Sequence, residues 1–374
     1  MKVKLGDICT FQSGGTPSKG TEEFFNGTIP WITTTALNGG KIDETQAVDW
    51  ITEKAIEKSA AKLVPAFSIM VGTRVGVGKV AVNAVQMSTS QDIISLLNID
   101  ENWWSKDYLC KYIQGKNTFL NSQARGATIK GIKIDVLANL ELEEIPLEEQ
   151  VRISETIDKV KEILDARKSE LLELDKLVKA RFIELFGKET EFDKWPCGTV
   201  GDVADVCVGV VIKPTQYYTD EGIPAFRSLN IGEMYVKDAD WVYFTEEGHQ
   251  KNQKSVIRKN DVLVVRSGAP GTACVATEKY DGYNAVDIII AHPDNNKVNS
   301  VFLAAFTNMP HGMHQIRVKT GGAAQQHFNV GGYKNMHLIL PPMKLQEEFA
   351  TFVQGIDKSK LLESRQTGFI AKIR

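Results

Sequence analysis

Eight short segments of this sequence combine glycine, hydroxyl, amide and basic residues in the proportions that suit contact with a polyanion. In the first half they are SGGTPSK at 13–19, TTTALNGGK at 33–41, GTRVGVGK at 72–79 and RGATIKGIK at 125–133. In the second they are VGVVIKP at 208–214, RSLNIGE at 227–233, RSGAPG at 266–271 and KTGGAAQQHFN at 319–329. Glycine lets a backbone come close to a ligand, hydroxyls and backbone N–H groups suit phosphate oxygens, and Arg, Lys, Asn and Gln match the edges of bases. The candidate contacts in the first half are Ser13, Thr16, Lys19, Thr34, Asn38, Lys41, Arg74, Lys79, Arg125 and Lys130. Those in the second are Lys213, Arg227, Asn230, Arg266, Lys319 and Gln325. Any one of these loops taken alone reads equally well as an ordinary polar turn. Their recurrence at matching positions is what argues for them as a set.

Other chemistries find no footing in the sequence. Gly76-Val77-Gly78-Lys79-Val80-Ala81 fits GxGxxA, but VAVNAV continues as strand where a dinucleotide site needs a helix. Pro293-Asp294-Asn295-Asn296-Lys297 has part of a nuclease carboxylate motif and lacks the second acid-x-Lys element, so it reads as a solvated turn. The histidines, His249, His292, His311, His314, His327 and His337, show no spacing-matched acids or thiols that would make a metal site. Cys9, Cys110, Cys197, Cys207 and Cys274 are an odd set without CxxC spacing and are expected to be reduced core thiols. No aromatic-flanked Asn/Asp-Pro-Pro motif of an amino-methyltransferase is present. A non-catalytic chain is expected.

The elements that position these loops come in duplicate. Leu5-Gly6-Asp7-Ile8 recurs as Val200-Gly201-Asp202-Val203, and Ile29-Pro30-Trp31 as Ile223-Pro224-Ala225. Residues 67–74 align with 261–268, both running into glycine-rich turns; Gln91-Asp92-Ile93-Ile94 aligns with Val286-Asp287-Ile288-Ile289, and Pro146 through Gln150 with Pro342 through Gln346. Each copy opens with short β-branched and aromatic runs broken by Gly, Asn, Thr and Pro, which predicts a strand-rich mixed globule. A helix follows. From Ile153 the positions Ile157, Val160, Leu164, Leu171, Leu174, Val178 and Leu185 continue in steps of four and three, with Arg167 and Arg181 interrupting, a heptad seam closed by Gly187. The second copy begins likewise at Leu345, Phe349, Phe352 and Ile356, loses register at Ser359 and Glu363, and stops at Arg374, so its last turns are expected to be missing or shortened.

The expected fold is α+β: two pseudo-symmetric strand-rich globules, at 1–145 and 188–341, joined by two long helices, at 146–187 and 342–374. A seam from Leu147 to Phe186 spans on the order of 60 Å at 1.5 Å per residue, more than one compact globule covers. The two helices are therefore expected to pack on each other as an antiparallel coiled coil, with the globules at opposite ends of a rod. The composition, 43% apolar and 24% charged over 374 residues, is that of an ordinary globular chain with full-sized cores. No apolar run approaches the roughly 20 residues of a membrane span, the start lacks a signal layout, and the cytoplasm is the expected compartment. A net charge of -3 opposes bulk electrostatic binding of nucleic acid, so the basic residues must gather on one face or a partner must supply positive surface.

The opening V-x-L-G-D-I at 3–8, the central I-P-W, the glycine-rich turn after an apolar strand, the Arg-Gly-Ala at 125–127, I-P-L-E-E-Q at 145–150 and the helix beyond it form a recognisable order, present twice. That order resembles the specificity subunit of type I restriction–modification systems, and P-P-M-K-L-Q-E-E-F with I-D-K-S-K is similar to the second conserved region of those subunits. The resemblance implies two target recognition domains that read the halves of an asymmetric bipartite site in double-stranded DNA, held apart by a helical spacer. It implies assembly with two methyltransferase subunits using S-adenosylmethionine and with restriction subunits using ATP and Mg, and no cofactor in this chain. The competing expectation is a two-headed scaffold that binds proteins or glycans, marked by apolar or aromatic loop surfaces.

Overall fold

The computed structural model describes residues 1–126, 128, 130–320 and 327–371, with side chains described to residue 360. The chain divides into two compact units, Met1–Ile163 and Leu164–Arg374. It is a mixed helix and strand fold, and the two units repeat the same parts in the same order.

In the first unit a five-stranded sheet runs in the order Thr10–Ser13, Ile93–Leu97, Ile69–Gly72, Val80–Asn83 and Lys41–Ile42. The first four strands are antiparallel to their neighbours, and the last pairs parallel with Val80–Asn83. Its strands alternate sides: Ile69, Val71, Val80 and Ile94 pack against Leu109, Ile113 and Leu120, while Met70, Ala81 and Ile93 pack with Ile32, Leu37 and Met87. Both faces are covered, which explains why these strands read as continuous apolar runs. In the second unit Ala204–Val208, Ile288–Pro293, Val262–Val265 and Ala273–Val275 form the matching sheet. Each unit carries a further four-stranded sheet, which in the first holds Phe25–Ile32 and in the second Ile223–Phe226.

The repeated LGDI and VGDV are short helices that follow the first strand of each unit, and Asp7 and Asp202 accept hydrogen bonds from the backbone N–H of Lys4 (3.2 Å) and Thr199 (2.7 Å). Those first strands, Lys2–Lys4 and Cys197–Thr199, pair antiparallel with Glu141–Glu143 and His337–Ile339. Each two-stranded clip brings the beginning and end of a globule together just before a long helix starts, at Leu147–Phe186 and Met343–Ala371.

A buried glutamine fixes each of these junctions. Gln150 is fully buried; its Oε1 accepts from the backbone N–H of Ser105 (2.9 Å), and its Nε2 donates to the carbonyls of Trp103 and Ile145 (2.9 Å each). Gln346 is also fully buried, accepts from the backbone N–H of Asn299 (2.9 Å) and donates to the carbonyl of Pro341 (2.7 Å). Ser105 and Asn299 are the N-caps of the helices Lys106–Gly115 and Ser300–Asn308. The P-x-x-x-Q repeat in the sequence is thus one hydrogen-bonded joint made twice.

The heptad seam appears in the burial of the first helix: Ile153, Val160, Leu164, Leu171 and Leu174 are half-buried and Val178 is buried, whereas Ile157 lies exposed. At the C-terminal end the buried stripe departs from the heptad, passing through Val178, Phe182 and Phe186. There the helix enters the aromatic core of the second unit, where Phe182 meets Phe349 edge-on (centroids 5.5 Å) and stacks on Phe302 (5.8 Å). The packing of helix on helix is therefore shared with the globule, because a straight helix drifts about 20° per heptad and turns Phe182 and Phe186 inward. Within this unit the pairs Arg181–Glu348 (2.5 Å) and Asp175–Lys360 (2.6 Å) run in opposite senses along the two helices, so the helices are antiparallel. Arg181, an interruption in the seam, is also 2.8 Å from Glu184 and lies over the Phe352 ring, which accounts for a charge at that position. Gly187, at φ +86°, closes the helix by donating its N–H to Ile183.

The cysteines are not all in the core. Cys9, Cys110 and Cys274 are buried, and burial pushes their thiols up to about 12, 11 and 12. Cys197 is exposed and Cys207 half-buried, because both sit on sheet-edge strands.

Candidate nucleic-acid interface

Strand polarity gathers the loops. In the first sheet Ser13 and Gly72 end their strands, whereas Ile93 and Val80 begin theirs, and the pairings Ser13 with Ile94, Gly72 with Ile93 and Val71 with Val80 place all four at one end of the sheet, where Gly39, two residues before the parallel strand Lys41–Ile42, donates its N–H to the Val80 carbonyl (2.7 Å). The segments 13–19, 72–79 and 33–41 therefore leave from the same end. The 125–133 segment joins them: Arg125 and Gly131 exchange two backbone hydrogen bonds (2.9 and 3.0 Å), and Ile132 donates its N–H to Thr73 (2.8 Å). Thr16, Lys19, Asn38, Lys41, Arg74, Lys79, Arg125 and Lys130 are exposed there, Ser13 is half-buried and Thr34 is buried. Thr16 donates its hydroxyl proton to Gln91, and the Asn38 carbonyl oxygen accepts from the Gly40 N–H (2.9 Å).

The second sheet repeats the arrangement. Val208 and Val265 end strands where Ile288 and Ala273 begin them, so the segments 209–214 and 266–272 emerge together. Phe328 donates its N–H to the Arg266 carbonyl (3.0 Å), and the Ser267 hydroxyl lies 2.7 Å from Nδ1 of His327, which ties in the chain after 326. Lys213 is exposed and holds a left-handed backbone, φ +44°. Arg227 follows Phe226, whose carbonyl accepts from Val286, and its guanidinium donates to the Asp240 carbonyl. Gln325 lies outside the described residues.

Two candidates have their polar groups committed to the fold, and a third is buried. Asn230 is fully buried; its carbonyl accepts from the Arg227 N–H (2.9 Å) and its amide donates to Ala239 (2.7 Å), so it shapes its loop from within. Lys319 donates to the carbonyls of Gly332 (3.0 Å) and Asn335 (2.9 Å), and desolvation holds its ammonium below the usual lysine range. Thr34 is 5% exposed beneath the 72–79 turn. Glycine, too, works inward at some positions: a Cβ on Gly14 would stand 2.3 Å from the Ser90 carbonyl, while one on Gly268 would meet open space at φ +89°.

One feature of this end escaped the sequence reading. Arg74 pairs with Asp92 at 3.7 Å, and Arg266 pairs with Asp287 at 2.5 Å. Asp92 and Asp287 are equivalent in the repeat, each standing just before an Ile-Ile strand, whereas the two arginines come from different positions of equivalent loops. The recurring D-I-I was the available signal; the partner is not local and left none. Asp287 holds the Arg266 guanidinium by a hydrogen bond, whereas Asp92 is only within ion-pair distance of the exposed Arg74; a guanidinium so placed at the end of each sheet is a donor of the kind that suits a guanine edge or a phosphate. The exposed Ile212, at 80%, and Val211, at 47%, stand beside Lys213 in the second cluster and were also missed, since apolar residues in a loop carry no local pattern.

The repeat of globule and helix is matched by a single family model, type I restriction modification DNA specificity domain, once over residues 1–174 and again over 193–367. The chain belongs to that family. Both matched stretches end inside a long helix, so one globule with most of its helix is the family unit. The type I restriction enzyme MjaIX specificity subunit of Methanocaldococcus jannaschii is 22% identical over 395 residues, covering 99% of this chain and 90% of that one. The EcoR124I/EcoR124II specificity subunit of Escherichia coli is 31% identical over 166 residues, 41% of this chain and 39% of that one. Among solved structures, the type I S subunit from M. genitalium matches with a TM-score of 0.56 at 15% identity, covering 100% of this chain and 93% of its own. A chain solved in work on complex assembly and conformational transition of the type I R-M system matches at 0.62 and 16%, covering 100% and 95%. At these identities the two structures establish the fold. The family assignment makes the two units target recognition domains of a DNA-specificity protein. Among the described residues no helix is long and apolar enough to cross a membrane.

Proposed function

We propose that this chain is the non-catalytic reader of a type I restriction–modification complex, in which each globule reads one half of an asymmetric, bipartite DNA site. The observation that supports this most strongly is the loop cluster at one end of a sheet, built twice, with an Arg–Asp pair at its centre each time. The two long helices serve as the spacer that sets the gap between half-sites, which for a two-headed reader is a matter of helical turns of about 34–36 Å. Two methyltransferase subunits and the restriction subunits dock on this frame and close around the duplex. They contribute phosphate contacts that a chain of net charge -3 does not supply alone. S-adenosylmethionine, ATP and Mg belong to those partners.

The test is reconstitution with the methyltransferase subunits on double-stranded DNA. Arg74→Ala and Arg266→Ala each relax a different half of the recognised sequence, at a cost of about 1–3 kcal/mol if the contact is to a base. If the side chain reaches a phosphate, binding weakens uniformly and the salt slope falls by about 1. Site preference and affinity untouched by both substitutions would overturn the reading, as would methyl transfer by this chain without its partners.

A further inference from the structure

The second globule holds a row of three side chains that DNA reading does not use. His292 faces Asp205 across the sheet, Cys207 lies two residues further along that same strand, and Asp261 immediately precedes Val262, which faces Ala291. Nδ1 of His292 is 2.7 Å from Oδ1 of Asp261, and Nε2 is 3.7 Å from Sγ of Cys207. Asp261 is 2% exposed, and its other oxygen accepts from the backbone N–H of Arg258 (2.6 Å), so the carboxylate is fixed. The Asp261 hydrogen bond, with that of Cys207 second, pushes His292 up to about 9, so it is an imidazolium at neutral pH with both ring nitrogens bearing protons. Cys207 is half-buried, its thiol donating to the Lys254 carbonyl (3.3 Å). Cys207 lies on the edge strand of its sheet, so its sulfur is only partly covered.

We propose that Cys207, His292 and Asp261 form a thiol site that reduces small hydroperoxides and is itself converted to a sulfenic acid. An imidazolium hydrogen-bonded to a sulfur favours its nucleophilic form, and a fixed carboxylate orients the imidazolium. The sulfur attacks the outer peroxide oxygen, forming the S–O bond as the O–O bond breaks. The Nε2 proton of His292 passes to the departing oxygen, giving an alcohol or water, and the proton lost by the thiol restores the imidazolium. Sulfur is oxidised by two electrons and the peroxide reduced by two.

Cys197 provides an internal control, since it is more exposed than Cys207 and has no imidazole partner among the described residues. The full chain is treated with hydrogen peroxide, sulfenic acid is trapped with dimedone, and labelling of the two cysteines is followed by peptide mass spectrometry. Cys207 is expected to label at least about tenfold faster than Cys197, with the difference vanishing in urea. His292→Gln and, separately, Asp261→Asn bring Cys207 down toward the Cys197 rate. Labelling in the native chain that follows exposure alone, with Cys197 equal or faster, overturns the proposal without any variant; so does a Cys207 rate unchanged by folded His292→Gln.

Discussion

Replacing Gln346 by methionine removes the joint between the second globule and its helix while keeping nearly the same side-chain volume, so little cavity energy enters. Two buried groups lose their partners, the N–H of Asn299 and the carbonyl of Pro341. A buried polar group left unpaired costs about 1–3 kcal/mol, so the pair costs about 2–6 kcal/mol. Against a total stability of about 5–15 kcal/mol the chain still folds, with the joint opening locally. Peptide-resolved hydrogen exchange reads this directly: residues 299–308 and 341–350 should exchange at least about 30-fold faster, the equivalent of about 2 kcal/mol. Gln346→Glu should cost more, because the carboxylate keeps the bond from Asn299 and turns a lone pair toward the Pro341 carbonyl. Gln150→Met should have the same effect on residues 103–115 and 145–150. Exchange within about threefold of the native rate in these segments, for both substitutions, would show that the glutamines do not hold the joints and that the reasoning is wrong.

Stability should depend on pH through His292. Its folded value is raised from 6.5 to about 9, so the stabilisation is fully present below about 6.5 and is lost as pH rises through 9. The fall should be readable in denaturant melts, and Asp261→Asn should flatten most of it, because the Asp261 hydrogen bond is the largest cause of the raised value; a melt equally stable at pH 6 and pH 9.5 would contradict the geometry. Phe182→Ala should cost about 3–5 kcal/mol in thermal or urea melts, since it is 1% exposed among Phe186, Phe302, Phe306 and Phe349. Leu172→Ala, 61% exposed on the same helix, should cost under about 1 kcal/mol.

Much of the architecture was legible because each half of the chain repeats the constraints of the other. The LGDI and VGDV pair marks a helix whose Asp caps it, D-I-I marks the start of a central strand, and P-x-x-x-Q marks the joint. All three signals are local in sequence, which is why they survive divergence and can be found by eye. The seam of the first helix was legible as far as Val178. Beyond it Phe182 and Phe186 win over the heptad positions, because the second globule offers an apolar wall that no helix pattern announces. The loop clusters were legible as composition, and strand polarity then gathers them at one end of each sheet. Which side chains remain available is a tertiary matter: Asn230 is spent on the Ala239 and Lys237 carbonyls, and Lys319 on Gly332 and Asn335. Neither commitment has a local signature. The same holds for Cys207, Asp261 and His292, of which two lie on neighbouring strands and Asp261 just before a third, and which meet only when the sheet forms.

The most direct test of two-headed reading is methylome sequencing of cells carrying this chain with its partner subunits. The account predicts a methylated motif split into two specific blocks by a gap of fixed length, with substitutions at 72–79 altering one block and those at 266–271 altering the other. A continuous motif, or both substitutions altering the same block, would contradict it.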